Sequence, residues 1–146
     1  MYKLEGQIRF SECDTTKSIT LPGIINYFQD CSSAQSEQIG HGIDYLKEKK
    51  KAWILSSWQI IVERYPKLGE EIEVSTWATD FKGLYAMRNF SMKTKSGEML
   101  AYANSVWVFM DLAVGRPAKP GTEEVEAYGM EPPLKICLLY TSPSPR

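Results

Sequence analysis

Histidine is almost missing from this chain and cysteine is scarce: there is one histidine, His41, and there are three widely spaced cysteines, Cys13, Cys31 and Cys137. No Cys-x-x-Cys pair occurs, so the roughly four clustered ligands of a structural zinc site are not present, and neither a metal nor any other cofactor is expected. Long apolar runs are lacking too. None reaches the ~18 residues of a membrane span, so no membrane partner is expected. The N-terminus, Met1-Tyr2-Lys3-Leu4-Glu5, has no basic-then-apolar layout of a signal peptide, which makes a cytoplasmic location the default. An excess of positive charge is also absent. The formal net charge is −1, giving no reason to expect nucleic acid as a partner. Apolar residues are not lacking: 43% of the 146 residues are hydrophobic and 12% aromatic, enough for the core of one folded domain.

The apolar pattern changes period along the chain. Tyr2, Leu4, Gly6, Ile8 and Phe10 alternate with polar residues, which predicts a strand with one buried face. A polar loop, 11–18, follows. Leu21, Ile24, Ile25, Phe28, Cys31 and Ala34 then recur at three and four, predicting a helix from Leu21 to Ile39, roughly 28 Å long at ~1.5 Å per residue. Thr20 suits its N-cap, Pro22 its first turn, and Gly40 its end. Asp44–Lys51 is read as a short basic helix. From Trp53 on, alternation returns. Ile54, Ser56, Trp58, Ile60 and Val62 share one predicted face, and Ile72, Val74, Thr76 and Ala78 line another strand. Leu84–Thr94 and Met99–Asp111 form a predicted hairpin around a two-residue Ser96-Gly97 turn. Val106–Met110 is apolar on both faces, as a central strand would be, and the outer surroundings of Met99–Asp111 are expected to want a partner. The domain is expected over 1–120, a linker over 121–136, and a tail with no continuing pattern over 137–146, read as non-native.

A strand, one long helix and about four antiparallel strands make an α+β architecture of hotdog type, a long helix wrapped by a sheet. Particular segments sharpen this. Ile8-Arg9-Phe10-Ser11-Glu12-Cys13-Asp14 with Leu21-Pro22-Gly23-Ile24-Ile25-Asn26-Tyr27-Phe28, then Trp53-Ile54-Leu55-Ser56-Ser57-Trp58, Glu63-Arg64-Tyr65-Pro66, Gly69-Glu70-Glu71-Ile72, and Ser105-Val106-Trp107-Val108-Phe109-Met110-Asp111 with Arg116-Pro117, together resemble the first domain of the acyl-acyl-carrier-protein (acyl-ACP) thioesterases. The resemblance covers about residues 3–120. It implies hydrolysis of fatty acyl-ACP thioesters to free fatty acids, with water as nucleophile and acyl carrier protein as partner. It also implies two hotdog domains per chain, the first holding the acyl chain and the second carrying an Asp-x-Asn-x-His constellation.

The matching loop here runs Asp14-x-Thr16-x-Ser18-x-Thr20, so Asp14 stands alone, with Thr16 and Ser18 where Asn and His would be. Asp14 is the catalytic candidate, but a single carboxylate without those partners more often closes a loop. The expectation is that the catalytic half lies outside this chain. His41, at the helix end, is read as a partner of the helix dipole rather than as a base. Lys47, Lys49, Lys50 and Lys51 could dock an acidic carrier protein, or simply form a solvated helix face. Ile24, Ile25, Phe28, Trp53, Trp58 and Trp107 are the candidates for contact with the acyl chain, with Trp77 a further one, though such residues also build a core. Two alternatives remain: a non-catalytic acyl-binding hotdog homodimer, and a single-hotdog acyl-CoA thioesterase using Asp14. As an isolated domain the chain is expected to form a homodimer.

Overall fold

The structure is a computed structural model that describes residues 1–134; the 137–146 tail and Cys137 lie outside the described residues. Strand β1 (Tyr2–Gln7) and one 3-10 turn (Phe10–Glu12) lead into helix α1 (Leu21–Gln38) and the short α2 (Ile43–Lys49). Four long strands follow: β2 (Lys51–Val62), β3 (Glu71–Lys82), β4 (Tyr85–Thr94) and β5 (Met99–Asp111). The two-residue β6 (Arg116–Pro117) and helix α3 (Thr122–Tyr128) come last. The strands pair antiparallel in the order β1-β3-β4-β5-β2, with β6 joined to the end of β5. No helix among the described residues is long and apolar enough to cross a membrane.

Local chemistry sets the bounds of α1. The Thr20 hydroxyl accepts a hydrogen bond from the Gly23 amide at 3.1 Å, and Pro22 sits in the first turn, where a missing N–H costs nothing. Gly40 ends the helix at φ +79°, a conformation that side chains rarely adopt. The inner stripe of α1 lies over the sheet, with Ile24, Phe28 and Cys31 fully buried. Phe28 stacks on Phe90 of β4 at 5.1 Å between ring centroids and on Trp58 of β2 at 6.2 Å. Burying each large apolar side chain stabilises the fold by about 1.5–3 kcal/mol.

Several expectations need correction. The inward alternation of the first strand stops at Ile8, and Phe10 is 83% exposed. The chain leaves the sheet there because the Ile8 amide bonds to Glu70 O and the Phe10–Glu12 turn begins. In β2 the alternation slips at a bulge between Leu55 and Ser57. Ile54 therefore faces out, while Trp53 before the bulge and Trp58 after it both face in, since one extra residue reverses the phase. The hairpin turn is longer than two residues: the Thr94 amide bonds to Glu98 O, leaving 95–97 as the loop, with Gly97 at φ +101°.

Met99–Asp111 is a central strand, as the two apolar faces of Val106–Met110 predict, with β4 and β2 flanking it; among the described residues the outermost strands are β1 and β2. Residues 122–128, expected within a linker, form α3 instead. The segment after it lies on the outer face of the sheet, where the Trp77 indole donates to Pro132 O at 3.0 Å and the Leu134 amide donates to Asn89 Oδ1 at 2.7 Å. Gly129, Pro132 and Pro133 suggested a free connection, but backbone groups of 131–134 are tied to β3 and β4.

Candidate functional site

Small inner-face residues open a cavity at one end of the sheet. Below the middle of α1 the inner face carries Phe90, Met92 and Val74, which fill the space. Toward the α2 end it carries Ala78 and Ser105, paired with Arg88 on the neighbouring strands, and Ala86 two residues before Arg88 on β4. The result is a cavity of about 260 Å³ between α1, α2, the sheet and α3. Trp53, Phe81, Met87 and Trp107 make its apolar wall, Gln29, Ser32, Ser33, Ser36 and Glu37 its α1 wall, and Tyr128 of α3 closes one side. An engineered cavity of ~150 Å³ admits benzene, so this one has room for on the order of ten carbons.

Among the described residues Arg88 is the one cation that lines it. The side chain is 7% exposed. Its Nη1 donates to Gln35 Oε1 and, at 3.0 Å, to the Thr76 hydroxyl, and its guanidinium carbon lies 5.2 Å from the centroid of the Tyr128 ring. No carboxylate among the described residues pairs with it. Burial pulls its pKa down to about 10, and holding such an unpaired charge away from water costs several kcal/mol.

Beside the cavity lies a second buried polar group. The His41 ring lies tilted against Tyr45 at 4.1 Å between centroids, and its Nδ1 is buried without a hydrogen-bond partner among the described residues, 3.9 Å from Glu124 Oε2. Glu124 in turn accepts from the Tyr45 hydroxyl at 2.9 Å and the Gly121 amide at 3.0 Å. Burial, followed by that bond to Glu124, pushes the Tyr45 hydroxyl up to about 12. Together with the Ser36–Tyr128 hydroxyl pair at 2.7 Å, these contacts dock α3 on α1 and α2. His41 thus faces a carboxylate of α3.

The sequence candidates fall into separate places. Trp53 and Trp107 line the cavity; Ile24, Phe28 and Trp58 belong to the core beside it, Ile25 is half-buried on α1, and Trp77 lies on the opposite face of the sheet. Asp14 is exposed and does not line the cavity. Its Oδ1 accepts from the Thr16 hydroxyl at 2.6 Å and from the Thr16 and Ser18 amides at 2.8 and 3.3 Å, which holds its carboxyl below the usual range. Thr16, standing in place of Asn, is thereby committed to closing the loop.

Lys47, Lys50 and Lys51 border a more open hollow with Ile43, Leu46 and Leu112. Lys51 also pairs with Asp111 at 3.1 Å, and Lys49 Nζ lies 6.0 Å from the Tyr45 ring centroid. Among the described residues no cluster of side chains could hold a metal ion.

A long helix laid on a curled antiparallel sheet, with an apolar cavity at one end of the contact, defines a hotdog domain. Residues 1–128 match the sequence model of the acyl-ACP thioesterase N-terminal domain. The chain belongs to the acyl-ACP thioesterase family. The palmitoyl-acyl carrier protein thioesterase of Arabidopsis thaliana, named as chloroplastic, is 27% identical over 139 residues, which is 88% of this chain and 34% of that protein. The chain spans about a third of the length of the curated relatives it matches. An acyl-ACP thioesterase from Bacteroides thetaiotaomicron superposes with a TM-score of 0.84 at 27% identity, covering 98% of this chain and 57% of that one. The 1,4-dihydroxy-2-naphthoyl-CoA thioesterase of Synechocystis superposes at 0.79 with 13% identity, covering 87% of this chain and 94% of that one, a likeness of fold alone.

Proposed function

We propose that this domain holds the fatty acyl chain for an acyl-ACP thioesterase of fatty acid biosynthesis, which cleaves the thioester with water to give free fatty acid and carrier protein. The cavity beneath α1 carries the reading. It is walled by Trp53, Phe81, Met87 and Trp107, and its size suits a medium acyl chain. Within residues 1–134 no Asp-x-Asn-x-His set accompanies it, so the groups that activate water and hold the oxyanion come from elsewhere in the working enzyme. The carrier is acidic, and Lys47, Lys49 and Lys50, exposed on and just after α2, suit its docking. A cytoplasmic site goes with this reading, whereas the plant relatives are named as chloroplast proteins.

The test is a fluorescence titration of the indoles with decanoyl-ACP, holo-ACP and S-decanoyl-pantetheine. The decanoyl ligands should give a saturable change and holo-ACP should not. Charge reversal at Lys47, Lys49 and Lys50 should weaken decanoyl-ACP binding alone. Thiol release by the chain should be poor and unaffected by Asp14→Ala; turnover that Asp14→Ala abolishes would favour the single-hotdog enzyme.

One observation supports a second assembly. The outer edge of β2, twelve residues long with Ile54 exposed, has no neighbour strand among the described residues. An isolated domain would satisfy that edge by pairing with a second copy.

A further inference from the structure

The acyl reading accounts for the apolar walls of the cavity but not for Arg88. A site for a saturated chain gains nothing from a cation. Yet this one is set on the inner face of the sheet with small neighbours, Ala78 and Ser105, on the adjoining strands. Its Nη1 is used by Gln35 and Thr76, both uncharged. Its Nε and Nη2 donate to no acceptor among the described residues, although the side chain is more than nine-tenths buried. The face of the Tyr128 ring gives the charge a partial counterweight. What such a group lacks is an acceptor that fits its planar fork.

We propose that the cavity takes an apolar chain ending in a carboxylate, and that Arg88 is the counter-ion of that carboxylate. A guanidinium pairs with a carboxylate through two parallel hydrogen bonds, which matches two unused donor positions on one fork. A phosphate is a poorer fit, because it brings more charge and no second cation among the described residues lines the cavity. Of the other polar lining residues, Gln29, Ser32 and Ser33 supply uncharged donors that a carboxylate can share, while the one acid among the described residues there, Glu37, is held by the Ile43 amide at 2.9 Å. The chemistry has two sources. One is the free fatty acid, bound head first. The other is an acyl thioester whose far end carries a second carboxylate. The inference rests on the acyl reading only in taking the cavity as the place of the chain.

Calorimetric titration of the 146-residue chain with decanoate, methyl decanoate and 1-decanol decides it. Decanoate should bind at least tenfold more tightly than either neutral ligand. Arg88→Gln should remove that preference while leaving decanol binding within about threefold. Equal binding of decanoate and decanol by the unaltered chain overturns the proposal and spares the acyl reading. Binding of none of the three overturns both. The wild-type comparison stands even where Arg88→Gln fails to fold. A further arm compares S-decanoyl-pantetheine with the monopantetheine thioester of decanedioic acid. A preference for the latter identifies the two-ended chain as the ligand. A preference for decanoate without it identifies the free acid.

Discussion

The Tyr128 ring of α3 lies against the Arg88 guanidinium of β4, 5.2 Å from ring centroid to the guanidinium carbon, so the last helix closes on a central strand at the cavity. The same ring stands edge-on to Trp53 at 6.3 Å and shares a hydroxyl contact with Ser36. Helix α3 is therefore part of the cavity wall. Tyr128→Ala should destabilise the chain by roughly 2 kcal/mol, less than a fully buried aromatic would cost. Tyr128→Phe should cost about 1 kcal/mol, the worth of one hydrogen bond. Thermal melts check both, and an unchanged midpoint for Tyr128→Ala would return the segment to the status of a linker.

Core and cavity residues should separate by what their loss affects. Phe28 is fully buried between Phe90 and Trp58. Phe28→Ala should cost about 3–5 kcal/mol, visible as a lower denaturation midpoint. Trp107 borders open space. Trp107→Leu should cost less stability and weaken binding of decanoyl-pantetheine about tenfold. The reverse pattern would mean that the chain enters the core between α1 and Phe90.

Arg64 ties three segments together. It bonds Glu70 through both carboxylate oxygens, at 3.1 and 2.6 Å, and Glu98 from the β4–β5 loop at 2.9 and 3.1 Å. Both carboxylates are held below the ordinary glutamate range, with the Arg64 hydrogen bonds the first cause. A depressed carboxylate adds stability above its unfolded pKa and loses it as pH falls through the folded one. Arg64→Met should lower the melting temperature at pH 7, and the gap from wild type should close as pH falls through and below the ordinary glutamate range. Exposure and salt keep the effect modest, so it should also shrink in 1 M salt.

The isolated chain should dimerise through β2. Sedimentation equilibrium at micromolar concentration should show a two-fold dimer, whose interface would be expected to bury at least ~1,200 Å². Ile54→Lys places a charge on that edge and should give a monomer. A wild-type monomer would show that the edge is satisfied without a partner.

Much of this fold was legible because its signals are local. Thr20, Pro22 and Gly40 mark the ends of α1 by their own backbone chemistry, and the three-four spacing from Ile24 to Cys31 marks its buried face. What was missed depends on non-local geometry. The β2 bulge has no signature in Leu55-Ser56-Ser57, yet it decides which of Ile54 and Trp53 faces inward. The docking of 122–134 rests on backbone bonds to distant strands, which Gly129, Pro132 and Pro133 do not advertise. For Arg88 a signal was present. In Ala86-x-Arg88-x-Phe90-x-Met92 a charge occupies the apolar phase of a strand, an exception that points to a partner or a ligand. Gln35 sits likewise in the buried stripe of α1, one turn beyond Cys31.

The central claim is that the acyl chain lies in the cavity between α1 and the sheet. An isotope-filtered nuclear Overhauser spectrum of the chain with carbon-13-labelled decanoyl-pantetheine tests it directly. The account predicts cross-peaks from the ligand methylenes to the indoles of Trp53 and Trp107 and to the Phe81 ring, with none to Trp77 on the opposite face. Contacts to Trp77, or binding without any contact to Trp53 and Trp107, would contradict it.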